Sequence, residues 1–83
     1  MYQEFKVLAQ HKQWNLVRSK GIFLMSYRQY NVKIRLYQVD NFYVEVYSFD
    51  EDGKIAMINA FQDTKYLDPY LEKLDVSGLM LGN

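Results

Sequence analysis

The sequence predicts an α+β domain built on an antiparallel meander of four strands, with an N-terminal helix and a short C-terminal helix. Apolar and polar residues alternate with a period of two through residues 32–37 and 42–47, which is typical of half-buried strands. Short turn signals join these segments to an apolar run on either side, as in a meander. Apolar residues also recur at helical spacing towards both ends. With 83 residues, the chain is expected to form a single domain over 1–83.

The N-terminal segment 2–12 is predicted to be an amphipathic helix. Its apolar residues share one helical face: Tyr2, Phe5, Leu8 and Ala9. A strand stays open as the alternative for 2–12, because the residues from Glu4 to Ala9 also divide between two alternating faces. Residues 14–17 fit either a loop or a short edge strand, and the second option would give a five-stranded sheet. Residues 19–21 are expected to form a turn.

Residues 22–27 form the first predicted strand, and both of its faces are apolar. A strand of this kind is usually covered on both sides. Residues 28–31 are then predicted to be a four-residue hairpin loop. This loop would pair Tyr27 with Val32, Met25 with Ile34 and Phe23 with Leu36.

The register of the central hairpin depends on Glu45. A two-residue loop would place this carboxylate opposite Leu36, among the aliphatic side chains of a buried face, at a cost in desolvation. We therefore predict a three-residue loop over residues 39–41. That register pairs aliphatic residues on one face, namely Leu36 with Val44 and Ile34 with Val46. On the other face it pairs Arg35 with Glu45, Tyr37 with Tyr43 and Lys33 with Tyr47.

The C-terminal half opens with the strongest turn signal of the chain, residues 50–53, in which Gly53 can take the left-handed conformation. A fourth strand is predicted over 54–61. Asp63 and Asp68 are candidate caps, so a short turn over residues 64–67 and a helix over 69–74 should follow, or one kinked helix over both, and pack on the sheet. The apolar residues near the end are expected to dock on the core or on a neighbouring chain: Leu79, Met80 and Leu81.

The composition restricts the chemistry that this chain can support. It has no cysteine and a single histidine, His11, which argues against disulfides, a thiol nucleophile and a zinc site of the usual type. No serine lies in a nucleophile-elbow context, and the acidic residues fit turns and caps. We expect no catalytic, cofactor-binding or metal-binding residues. A small enzyme that uses carboxylates is the third-ranked reading.

Charge and hydropathy bear on location and partners. The net charge is +5 over residues 1–41 and −5 over residues 42–83, an asymmetry that either marks a binding surface or cancels where the strands meet. No apolar run is long enough to span a bilayer, and the N-terminal residues lack the apolar core of a signal peptide. The sequence therefore predicts a cytoplasmic protein without a membrane segment.

One sheet face is the candidate interaction surface, because it combines tyrosines with basic side chains. Its predicted residues are Lys33, Arg35, Tyr37, Tyr43, Glu45, Tyr47 and Phe49. Such a composition is typical of protein interfaces, so we predict a non-catalytic interaction or regulatory module with a protein partner, as a homodimer. One alternative is binding of RNA or single-stranded nucleic acid, which Glu45 would oppose by repelling phosphate. Another is that the N-terminal helix partly covers this face, which then binds no partner.

Overall fold

The computed structural model describes residues 1–73 and confirms the α+β meander. Its helices are α1 (Tyr2–Lys6), α2 (Gln10–Lys20) and α3 (Asp68–Lys73), and a 3₁₀ turn (Thr64–Leu67) precedes α3. The strands are β1 (Ile22–Gln29), β2 (Val32–Val39), β3 (Phe42–Phe49) and β4 (Ile55–Phe61). They lie side by side in chain order and each is antiparallel to the next, so β1 and β4 form the two edges.

The N-terminal segment is two helices, where the sequence predicts one over 2–12. The chain breaks at Ala9, whose φ of −61° and ψ of 151° are extended. The Gln13 Nε2 atom then donates a 3.0 Å hydrogen bond to the carbonyl of Phe5 at the end of α1. No glycine or proline marks this break in the sequence. Packing accounts for it, because Phe5 and Val17 are both buried in one cluster on the sheet.

Residues 14–17 lie within α2, so the predicted loop or edge strand there is wrong, and the sheet does not have a fifth strand within residues 1–73. The strand alternative for residues 2–12 is also wrong. The predicted turn at 19–21 begins too early, because α2 continues to Lys20 and is capped by Gly21. The Gly21 amide donates to the Val17 carbonyl at 2.8 Å. A Cβ atom at this glycine would lie 2.5 Å from the same oxygen, which explains why the helix ends on glycine.

The β1–β2 hairpin has a two-residue turn, and the predicted four-residue loop is wrong. Tyr30 takes a φ of 58° in this turn. The register pairs Gln29 with Val32, Tyr27 with Ile34 and Met25 with Leu36. It differs from the prediction by two residues, so these side chains keep their faces. Near the start of β1, Leu24 is an extra residue between Phe23 and Met25, which makes a β-bulge.

The β2–β3 hairpin also has a two-residue turn, in which Asp40 takes a φ of 50°. Leu36 lies opposite Glu45 and Ile34 opposite Tyr47, so the predicted three-residue loop and its register are wrong. A change of one residue moves every β3 side chain to the other face relative to β2. The desolvation cost of this register is offset because Asn59 on β4 and Tyr70 on α3 donate hydrogen bonds to Glu45.

The sheet is therefore covered on both faces. We call the side that carries α1 and α2 the N-terminal face; its buried cluster consists of Phe5, Val17, Val39, Phe42, Val44 and Val46. We call the side that carries the 3₁₀ turn and α3 the C-terminal face; its buried cluster consists of Ile34, Leu36, Phe61 and Tyr70. In this three-layer arrangement neither face of β3 lies fully in water, since Phe42, Val44 and Val46 are buried under the N-terminal helices while Tyr43 and Tyr47 pack against the C-terminal cluster.

The β3–β4 turn and the cap at Asp63 follow the prediction, whereas the predicted cap at Asp68 is wrong, because Asp68 has a helical φ of −53° and ψ of −45° and is the first residue of α3. Gly53 has a φ of +71°, the left-handed conformation expected of it. The Asp63 carboxylate accepts a 3.0 Å hydrogen bond from the Lys65 amide and so caps the 3₁₀ turn. Tyr70 of α3 is 1% exposed and is the main anchor on the C-terminal face. Packing of this segment on the sheet is incomplete, because Tyr66 and Leu71 are both more than half exposed.

Candidate functional site

The predicted interaction face is divided between the two sides of the sheet. Because of the observed register, Lys33, Arg35 and Tyr37 lie on the N-terminal face. The remaining members lie on the C-terminal face: Tyr43, Glu45, Tyr47 and Phe49. The basic and aromatic side chains that a base-stacking surface requires are therefore separated by the sheet, and this removes the observation on which the nucleic-acid reading depended.

On the N-terminal face, Arg35 and Tyr37 pack under α2. The Arg35 guanidinium carbon lies 5.3 Å from the centre of the Trp14 ring, and the Trp14 and Tyr37 rings meet edge to face at 6.2 Å. The Arg35 Nε atom is buried and has no hydrogen-bond partner within residues 1–73. These side chains join α2 to β2 and do not form an open binding surface.

On the C-terminal face, Glu45 is the centre of a polar network. One carboxylate oxygen accepts from Asn59 Nδ2 on β4 at 2.8 Å, and the other accepts from the Tyr70 hydroxyl on α3 at 2.5 Å. The predicted pairing of Arg35 with Glu45 is wrong, because the two side chains lie on opposite faces. Sequence reasoning missed Asn59 and Tyr70, since no local pattern links residues 14 and 25 positions away.

The Glu45 charge acts on three tyrosines around it. Burial, with a contribution from the Glu45 carboxylate, raises the pKa of Tyr47 to about 12. Burial and the hydrogen bond to Glu45 raise the pKa of Tyr70 further, and burial raises the pKa of Tyr27. These hydroxyls stay protonated at neutral pH, so they serve as neutral hydrogen-bond donors and not as bases.

An open cleft of about 480 Å³ lies beside Glu45, where the edge of β4 meets α1 and the 3₁₀ turn. Glu45 is the only charged side chain among its lining residues, which are Tyr2, Glu45, Asn59, Ala60, Phe61, Tyr66 and Pro69. The Phe61 and Tyr66 rings stand 5.7 Å apart at 69° on one side. The cleft thus combines one carboxylate with aromatic walls.

A second, apolar groove of about 300 Å³ runs between β1 and α3. Its walls are mostly aliphatic or aromatic, with one amide: Leu24, Met25, Leu36, Gln38, Tyr43, Leu67, Tyr70 and Leu71. Leu24 belongs to the β1 bulge, so this groove is continuous with the sheet edge.

The start of β1 is the largest uninterrupted exposed apolar segment among the described strands. Ile22, Phe23 and Leu24 are consecutive and are 64%, 54% and 43% exposed. The sequence shows this run as apolar on both faces, which predicts cover on both sides. In the structure, this end of β1 is only partly covered, since the Phe23 ring meets the Tyr37 ring at 5.6 Å and Leu24 lines the groove beside α3. Its outer backbone edge has no neighbouring strand within residues 1–73. The candidate docking residues Leu79, Met80 and Leu81 lie outside the described residues.

The described part of the chain offers little for metal or bilayer chemistry. Within residues 1–73, no three or more His, Asp or Glu side chains come together as a metal would require. None of the helices described has the length and apolar character needed to cross a membrane.

Comparison with known proteins gives no relative: no protein-family model, no curated protein and no solved structure matches this chain.

Proposed function

We propose that this protein is a non-catalytic cytoplasmic interaction module that forms a homodimer by pairing β1 with β1 of a second copy. The observation that carries the proposal is the exposed apolar start of β1 on an edge of the sheet. Large apolar side chains at such an edge are typical of strands that pair with another chain.

The composition of β1 supports pairing. A sheet edge presents unpaired amide and carbonyl groups, and monomeric proteins usually protect it with lysine, proline or inward-pointing charges. Residues 22–27 contain none of these. The Leu24 bulge is the one protective feature, and it leaves Met25 to Gln29 as a regular stretch for pairing. The other edge, β4, exposes a single large apolar side chain, Met57.

The charge pattern of β1 suits a second copy as the occupant. Arg28 is the only charged residue of the strand, and it lies 3.5 Å from Asp50 of the same chain. In an antiparallel pair related by a two-fold axis, Arg28 would face itself only if the axis passed through residue 28. Every other register places an uncharged residue opposite it. Two-fold pairing also stops at the dimer, because each copy has one β1 edge and uses it once.

The small size of the chain gives association a physical advantage. A chain of 83 residues buries only about 60–65% of its unfolded surface, and this one has no disulfide to add stability. Burying Ile22, Phe23 and Leu24 between two copies would remove part of the remaining exposed apolar area from water.

Analytical ultracentrifugation tests the dimer. At micromolar concentration we expect a species of about twice 10.0 kDa. Ile22→Lys and Phe23→Lys should each shift it towards monomer by placing a charge in the pair. Val7→Lys is the matched control, because Val7 is an 83% exposed apolar residue far from this edge in sequence. A wild-type monomer at the highest soluble concentration would refute the proposal.

Cysteine cross-linking tests the surface itself. The chain has no cysteine, so one introduced at each position from Phe23 to Tyr27 is unique. Two-fold antiparallel pairing should give a disulfide-linked dimer most readily at the residue nearest the axis, with yield falling on either side. A dimer that cross-links at none of these positions would place the interface elsewhere.

A further inference from the structure

Glu45 is a partly buried carboxylate that has no cationic partner among residues 1–73. Its hydrogen bonds come from the neutral groups of Asn59 and Tyr70. The remaining residues, 74–83, contain no lysine, arginine or histidine, so they cannot supply a side-chain cation. A carboxylate drawn partly out of water is ordinarily balanced by a positive charge. In this chain that charge is missing from the cleft walls.

The cleft walls suit a positive charge as well. Phe61 and Tyr66 present rings in edge-to-face contact, and Tyr2 lines the other side. Aromatic rings attract cations through the negative potential of their faces. Two lysines of the chain already lie against these rings and not against Glu45: the Lys6 ammonium is 4.8 Å from the Tyr2 ring centre, and the Lys65 ammonium is 5.2 Å from that of Tyr66. A ligand ammonium at Glu45 would therefore use the parts of the aromatic wall that these lysines leave open.

From this geometry we infer that the cleft beside Glu45 binds a primary alkylammonium group, with Glu45 as the counter-ion and Phe61 and Tyr66 as the aromatic wall. The Asn59 and Tyr70 hydrogen bonds hold the carboxylate in place, and a carboxylate oxygen can accept more than one hydrogen bond, so these contacts do not exclude a further donor. The cleft volume of about 480 Å³ exceeds what one ammonium and a short alkyl chain require. The inference is independent of the proposed dimer, which uses the opposite edge of the sheet.

A purely structural role for Glu45 is the competing explanation, in which the carboxylate only fixes α3 through Tyr70. The two explanations differ in the importance of charge. Glu45→Gln keeps the size of the side chain and an oxygen that can accept from Tyr70 or Asn59, but it removes the negative charge. If Glu45 is only structural, any binding of an amine does not depend on its charge, and Glu45→Gln leaves the affinity unchanged. If Glu45 is the counter-ion, the same variant causes a large loss of affinity.

An NMR titration with n-butylammonium chloride at constant total chloride tests the inference. We expect saturable shifts of the Asn59, Phe61 and Tyr66 amides, with a dissociation constant on the order of 1–10 mM. The neutral analogue n-butanol should give no saturable shifts at these amides. Glu45→Gln should weaken n-butylammonium binding at least about 10-fold. Glu51→Gln, which removes an exposed carboxylate in the β3–β4 turn, should leave it unchanged.

Two further arms complete the test. Tyr66→Leu keeps the carboxylate and should weaken n-butylammonium binding about 2- to 5-fold, so the inference can be judged even if Glu45→Gln does not fold. A blocked Gly-Lys-Gly peptide and its acetyl-lysine counterpart distinguish a lysine side chain from a free amine as the source of the ammonium. Equal binding of n-butanol and n-butylammonium, unchanged affinity in Glu45→Gln, or no saturation by n-butylammonium would overturn the inference.

Discussion

The hydrogen bond between Tyr70 and Glu45 should contribute measurably to stability. Tyr70→Phe removes only the hydroxyl that donates to Glu45, and the ring keeps its 1% exposed position. Hydrogen bonds to charged groups contribute about 1.5–3 kcal/mol. Water can reach the half-buried Glu45 and replace part of this bond, so we expect Tyr70→Phe to lower the unfolding free energy by about 1–2 kcal/mol.

A double-mutant cycle isolates that contribution. Urea unfolding of Tyr70→Phe, Glu45→Gln and the double variant can be followed by the fluorescence of Trp14, the only tryptophan. Because the two side chains are in direct contact, their coupling free energy should be about 1 kcal/mol. A coupling below about 0.3 kcal/mol would show that this bond does not join α3 to the sheet.

A second cycle between Arg35 and Glu45 tests the register. The three-residue loop predicted from the sequence makes these residues cross-strand neighbours, which would couple them by about 0.2–1 kcal/mol. The observed register places them on opposite faces of the sheet. Arg35→Met and Glu45→Gln should therefore have additive effects on the unfolding free energy. Clear coupling in this cycle, with none between Tyr70 and Glu45, would refute the register and the faces assigned here.

The remaining predictions concern Tyr47 and Arg35. From neutral pH the unfolding free energy should be level up to pH 10 and fall from there towards pH 12, because the folded state keeps tyrosine protons that the unfolded chain releases. Tyr47, whose pKa is raised from 10.0 to about 12, holds one of them, and Tyr70, whose pKa is raised further, holds another. Tyr47→Phe should make this decline shallower, whereas the control Tyr30→Phe, at a 93% exposed tyrosine, should not. Urea unfolding of the wild type and both variants at several pH values measures the slopes, and equal slopes would contradict the raised pKa of Tyr47. Arg35→Met should leave the unfolding free energy unchanged or raise it by up to about 1 kcal/mol, because the buried Nε atom lacks a partner within residues 1–73 and methionine keeps the packing of the stem. A loss above about 1 kcal/mol in urea unfolding would instead show that the stacking on Trp14 outweighs that cost.

Local patterns were sufficient to predict the elements whose causes are local. The period of two over 32–37 and 42–47 predicted β2 and β3, and Gly53 predicted the turn between β3 and β4. Asp63 predicted the cap of the 3₁₀ turn. In each case a few adjacent residues and the backbone conformation they favour decide the structure, so one sequence is enough to find it.

Local patterns failed where a distant partner decides the structure. The helical state of residues 14–17 depends on burial of Val17 against the sheet, and the break between α1 and α2 places Phe5 in the same cluster. Neither contact has a signal in the short segment concerned. Tertiary packing therefore overrides weak local preference in this part of the chain.

The candidate site shows the same division. The sequence by itself determined the antiparallel meander, the helices near both ends and the apolar character of residues 22–27, because strand alternation, turn chemistry and helical spacing are local properties. Only the tertiary structure decided which face each β3 side chain occupies, since Asn59 and Tyr70 provide the hydrogen bonds that allow Glu45 to lie opposite Leu36. The physical reason is that the cost of placing a carboxylate in a sheet depends on donors from other elements, and a hairpin considered alone does not contain them.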